Sequence, residues 1–142
     1  MTNAERKRRK LTSNEACTTC NNGTETIEHI LRGCPSSQQV WRLLGINDTL
    51  LTCGLGFTAW LESHLGNDQE GLLFGVACWY LWKRRNEKTF HNLTQEDHIL
   101  AHRIRCWTNT IRNAQLSDRD SHDQTPTKTV QELVWEPPRH SG

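Results

Sequence analysis

Apolar side chains recur at helical spacing through the middle of the chain. Phe57, Trp60, Leu61 and Leu65 fall at i, i+3, i+4 and i+8, which predicts a helix stopped by Gly66. Leu100, Ile104, Trp107 and Ile111 mark the buried face of a longer helix, expected to start at Thr94 with Asp97 in the capping-box position and to run to about Ala114. Between these two, residues 70–90 read as the central helix. Its first part, residues 72–82, is apolar on all sides and is expected to be enclosed by the other elements. Its second part, with Lys83, Arg84, Arg85 and Lys88, is expected to emerge into solvent. An earlier helix is signalled by Ser36-x-x-Gln39, a capping box followed by Val40, Trp41, Leu43 and Leu44, with Gly45 at its end.

The remaining segments are less regular. Residues 46–56 form a connector rich in Gly, Asn and Asp that still holds Leu50, Leu51 and Leu55. Residues 4–11 allow a short helix, acidic at Glu5 and basic after it. From Leu116 onward the composition shifts to Ser, Asp, Thr, Gln and Pro, as in a linker or disordered tail. An apolar island interrupts it at Val130, Leu133, Val134 and Trp135, ahead of Pro137 and Pro138. The expected architecture is mainly α: a basic segment over 1–12, a small metal-stapled module over 13–45 packed onto a helical body over 46–116, and a disordered tail over 117–142.

Apolar residues make up 35% of the 142, and the shortfall sits at the two ends, which confines the packable part to roughly residues 17–116. Five of the six tryptophans fall there, large rings suited to joining helices. The formal net charge of +1 conceals a divided field. Arg6, Lys7, Arg8, Arg9 and Lys10 form one basic cluster and Lys83, Arg84, Arg85 and Lys88 a second, whereas Asp118, Asp120 and Asp123 lie in the tail. Such a field steers a polyanion to one end of a molecule that is not basic as a whole. Residues 6–10 also fit a nuclear-localisation run, against the plainer reading of a solvated helical face. The charged N-terminus lacks the apolar stretch of a secretory signal. The longest apolar run, residues 72–82, covers about 16 Å as a helix against a hydrocarbon core of about 30 Å. The expected setting is intracellular, nucleus or cytoplasm and not secreted, with no membrane partner.

Candidate chemistry is concentrated in Cys17, Cys20, His29 and Cys34. Their C-x2-C-x8-H-x4-C spacing supplies the four ligands of a tetrahedral zinc site. Asn21, Asn22 and Gly23 tolerate positive φ and let backbone N–H groups turn towards thiolate sulfurs. Thr24 is the expected cap of a helix with Glu25 and Glu28 in its first turn, Ile27, Ile30 and Leu31 facing inward and His29 near its middle. Gly33 is then expected to end that helix in a left-handed cap that swings Cys34 back to the metal before Pro35. Three thiolates, a neutral imidazole and Zn2+ carry a net negative charge, which Arg32 is the nearest residue to offset. With every ligand supplied by protein, no position stays open for water, so one structural zinc ion is expected. Cys53, Cys78 and Cys106 then read as ordinary small apolar residues of a reduced chain. His98, His102 and Cys106 recur on one helix side, but Arg103 and Arg105 lie between them and a fourth ligand is not evident; a solvated or half-buried helix face is the preferred reading.

Several of these segments together resemble a known family. Cys17-x2-Cys20, Glu25-Thr26-x2-His29, Cys34 and Val40-Trp41 look like the zinc-binding domain of plant LINE-type (non-LTR) retrotransposon reverse transcriptases. Trp79-x2-Trp82-Lys83-x-Arg85-Asn86-x3-Phe90 is similar to that family's W-x-x-W-K-x-R-N helix, and Val134-Trp135-x-Pro137-Pro138 to the segment leading into the ribonuclease H domain of the same polyproteins. Thr18 stands where the family often carries proline, a departure that leaves the ligands untouched. The resemblance implies a polymerase upstream and a nuclease downstream. This chain shows neither a paired-aspartate polymerase motif nor a ribonuclease H carboxylate cluster, and no catalytic activity of its own is expected. The first expected function is binding of RNA or single-stranded DNA, with Arg6, Lys7, Arg8, Arg9, Lys10, Lys83, Arg84, Arg85 and Lys88 as phosphate contacts and no small-molecule substrate. The second is a structural spacer or interaction module between polymerase and nuclease, without nucleic-acid contact. A third is an orphan fragment with no selected role.

Overall fold

The computed structural model describes residues 1–46 and 54–122. In order they form α1 (Asn3–Arg8), a π-helical turn (His29–Gly33), α2 (Pro35–Leu44), α3 (Phe57–Leu65), α4 (Gly71–His91) and α5 (Asp97–His122). Among the described residues there is no strand, only an isolated antiparallel bridge between Ala16 and Thr24 that closes the loop carrying the first two cysteines. The mainly α class is therefore as expected. Leu50, Leu51, Cys53 and the apolar island around Trp135 lie outside the described residues.

Local chemistry sets most helix ends. Pro35 opens α2, where its missing N–H is no loss, and Gly45 closes it at φ 75°. Asn67 Oδ1 accepts the N–H groups of Gln69 and Glu70 just ahead of α4, and Asn92 ends α4 in the left-handed region at φ 53°. Gly71 is required by space: a Cβ there would stand 2.6 Å from the Leu65 carbonyl oxygen.

The core lies where α2 and α4 pack against α5, with α3 covering α4 and the π turn wedged against α2 and α4. Trp41 stacks on Phe74 at 5.0 Å between ring centres, and Trp60 meets both rings edge-on. Val40, Trp41, Trp60, Phe74, Ala77, Leu100 and Ile104 are fully enclosed. Each of the larger of these side chains contributes about 1.5–3 kcal/mol relative to exposure. Trp41 also donates its indole N–H to the Leu31 carbonyl at 2.7 Å, which fixes α2 to the π turn.

Several expected details differ. The enclosed stripe of α4 is Phe74, Ala77 and Leu81, and it continues at helical spacing through Arg84 and Arg85, which are 5% and 1% exposed. The two arginines do not emerge into solvent as their charge suggested. Trp79, on the other side of α4, is 62% exposed, so the helix is not enclosed all round. Trp107 is 51% exposed and is not on the buried face of α5, which is formed by Leu100, Ile104 and Thr108. That helix starts at Asp97 instead of Thr94 and runs to His122, so residues 117–122 are helical and not tail. Among the described residues no helix is long and apolar enough to cross a membrane.

Candidate metal centre

Four side chains from one loop and the π turn with its C-terminal cap converge here. The ligand atoms of Cys17, Cys20, His29 and Cys34 all lie within 4.8 Å of one another, and Cys20 Sγ stands 3.3 Å from His29 Nε2. Zinc–sulfur and zinc–nitrogen bonds of about 2.3 and 2.0–2.1 Å suit donors at such separations. Among the described residues this is the one such cluster; His98 instead faces Glu96 at 3.4 Å.

The backbone explains how each donor arrives. Asn21 and Gly23 take positive φ (57° and 71°), which reverses the chain after Cys20. The Cys17 N–H then bonds the Gly23 carbonyl at 3.2 Å and the Asn21 N–H the Cys17 carbonyl at 2.8 Å. His29 and Cys34 are five residues apart, which on an α-helix would set them about 140° apart around the axis. The wider π turn, closed by the Cys34 N–H on the His29 carbonyl at 2.6 Å, brings them to one side. Gly33 sits inside this turn and is not a left-handed cap. A Cβ at this position would lie in ordinary contact with the imidazole, 3.4 Å from His29 Nδ1. The cap of the turn is Thr26, whose Oγ1 accepts the His29 N–H at 3.0 Å, in place of Thr24. Ile27 is exposed where it was expected to face inward.

Electrostatics favour a thiolate at Cys17. The Cys17 thiol is pulled down to about 4, first by the Cys34 thiol donating to it and then, against the effect of burial, by the N–H groups of Cys20 and Thr19. Cys34 is pushed up, chiefly because it supplies that proton. A divalent cation bound between them would take the place of the shared proton. Cys34 caps α2, and the N–H groups of Ser36 and Ser37 stabilise its charge, so the helix N-terminus offsets part of the negative site. Arg32, expected in that role, is directed elsewhere: it donates to the Leu55 carbonyl at 2.7 Å and lies over the Trp60 ring. Cys17, Cys20, Cys34 and His29 would hold a zinc ion with three sulfur donors and one nitrogen, the number that fills a tetrahedral shell.

Behind the ligands lies a buried ion pair that sequence reading missed. Glu25 is fully buried, not in a helix first turn, and its carboxylate takes two bonds from Arg85, at 3.0 and 2.5 Å. It also accepts the Asn3 N–H at 2.8 Å and the Thr18 N–H at 3.1 Å. Burial alone would push this carboxyl up; the Arg85 guanidinium and then the two N–H groups hold it below its ordinary value. Thr18 is next to Cys17, so the pair ties the zinc loop, α1 and α4 together. No signal in the sequence marked it: residues 72–82 are apolar on all sides, so the register that buries Phe74, Ala77, Leu81 and Arg85 is not distinguished from the others.

The expected nucleic-acid contacts divide. Lys7, Arg8, Arg9 and Lys10 are exposed at the end of α1, and Arg6 is half-buried, donating to Asn3. Glu5 holds Arg8 and Arg9 at 2.6 Å, and Glu15 holds Lys7 at 3.1 Å. Lys83 is exposed, and Lys88 donates to Thr94. Arg84 and Arg85 are corrected: they serve Asp97 (2.6 Å) and Glu25 in the interior and are not available to phosphate. Cys106, expected to be apolar filler, is exposed beside His102, whereas Cys78 packs against the core.

Comparison with known proteins agrees with this geometry. Residues 1–41 match the family described as zinc-binding in reverse transcriptase. A putative ribonuclease H protein of Arabidopsis thaliana is 31% identical over 103 residues, an alignment covering 67% of this chain and 16% of that relative. No solved structure matches the chain. Because the matched residues hold all four donors, and the donors meet as zinc requires, the N-terminal part of this chain belongs to the reverse-transcriptase zinc-binding family.

Proposed function

We propose that the chain is a zinc-stapled, non-catalytic module of a retrotransposon-derived polyprotein, and that it touches the nucleic-acid backbone through the end of α1. The observation carrying this reading is the placement of charge. Lys7, Arg8, Arg9 and Lys10 are consecutive and exposed beside the zinc loop, while Arg84 and Arg85 are withdrawn. Glu5 and Glu15 neutralise part of that cluster, which suits weak, sequence-independent phosphate contact. A filled zinc shell leaves the metal to hold shape.

The test is the salt dependence of single-stranded RNA affinity for the zinc-loaded chain and for a variant carrying Lys7→Ala, Arg8→Ala, Arg9→Ala and Lys10→Ala. Each lost phosphate contact lowers the log–log slope by about 0.7, so two or more lost contacts lower it by about 1.4 or more. An equal slope in both proteins removes α1 from the interface. Absence of binding at physiological salt supports a second reading, a rigid spacer between flanking domains. The buried Glu25–Arg85 pair favours it, because it locks the zinc loop to the helical body. The chain spans 16% of its ribonuclease H-named relative, room enough for such neighbours.

A further inference from the structure

The helical body keeps one apolar face without a partner among the described residues. On α4, Leu72, Val76, Trp79 and Lys83 follow one another at helical spacing, Val76 also packing against the core, and Trp107 and Ile111 of α5 line the same groove. Together they line an open groove of about 550 Å³ floored by Gly71 and Gly75. Two large indoles more than half exposed on adjoining helices form the kind of patch that marks a binding surface.

We infer that this groove is the seat of the chain's own apolar island, residues 130–135. The island is the right chemistry: Val130, Leu133 and Val134 fall at i, i+3 and i+4, Trp135 follows, and Glu132 and Glu136 can meet Lys83 at the rim. The chain is also long enough. Trp107 lies about 22 Å back along α5 from His122 at 1.5 Å per residue. Fully extended, the stretch from His122 to Val130 reaches about 27 Å, sufficient to fold back to that level.

The test is NMR on the zinc-loaded full chain, with sedimentation to fix its mass, and a variant carrying Leu133→Asp and Trp135→Asp, which lie beyond α5. A monomer in which the Trp135 ring shows cross-relaxation to Trp79 or Ile111, lost in the variant together with a shift of the Trp79 and Trp107 indole N–H signals, supports the inference. Trp79→Ser, at an exposed position, is then expected to move the Trp135 signal to where the free segment resonates. Indole signals that ignore the tail substitutions overturn it. So does a dimer whose groove signals follow concentration and not the tail, which would give the face to a second copy. Groove signals that respond to single-stranded RNA but not to the tail overturn it in favour of base stacking.

Discussion

Removing the Arg85 guanidinium leaves Glu25 charged, fully buried and short of its main partner. Breaking one side of such a pair costs about 3–5 kcal/mol. Arg85→Ala is therefore expected to lower unfolding stability by that amount in urea titrations of the zinc-loaded protein, whereas Lys83→Ala, at an exposed position, stays within about 0.5 kcal/mol. Equal effects would place Arg85 outside the stabilising network. Two further groups set the acid limit. His64 is buried, stacked on Phe74 at 4.5 Å with Nε2 unpartnered, and burial holds its value below the ordinary 6.5. Below 6.5 the unfolded chain takes up a proton that the folded chain refuses, so this contribution is complete above 6.5 and declines as pH falls. Glu25 has the same sign in a lower window: its contribution is complete above 4.5 and is lost as pH falls towards its depressed folded value. His64→Phe is expected to flatten stability between 6.5 and 4.5, measured with zinc in excess, and to leave the fall below 4.5. An unaltered upper limb would assign that limb to the zinc ligands.

At the scale of elements, the start of α4 is where close packing admits only a glycine-sized residue. Gly33→Ala places a Cβ in ordinary contact, 3.4 Å, with His29 Nδ1 and is expected to change zinc affinity by less than about 10-fold, read by chelator competition. Gly71→Ala drives a Cβ against the Leu65 carbonyl and is expected to cost about 1–3 kcal/mol with zinc affinity unchanged. Helix existence was legible in the sequence because periodicity reports it directly; α2, α3, α4 and α5 all occur, although α5 starts later and runs further than the apolar spacing placed it. Orientation was less legible. An all-apolar stretch such as residues 72–82 gives no preference for either side, so nothing distinguished buried Phe74 from exposed Trp79. The π turn was also hidden, because a five-residue hydrogen bond has no periodic signature of its own.

For the molecule as a whole, zinc loop, α1 and α4 are joined by Glu25 and Arg85, and α2 carries the last ligand into the core through Trp41. The ligand set was legible from spacing alone, since thiolate and imidazole chemistry dictates it. The link behind it was not, because pairing across sixty residues leaves no mark on a single sequence. Zinc removal is expected to raise hydrogen exchange over residues 17–45 while α4 and α5 retain most of the helical signal, because their contacts do not pass through the metal. Most directly, zinc K-edge X-ray absorption on the purified chain, with metal content by mass spectrometry, tests the four-donor site itself. One zinc per chain with three sulfurs at about 2.3 Å and one nitrogen at about 2.0–2.1 Å is expected. A shell with fewer than three sulfurs, or a chain that folds without retaining zinc, would contradict it.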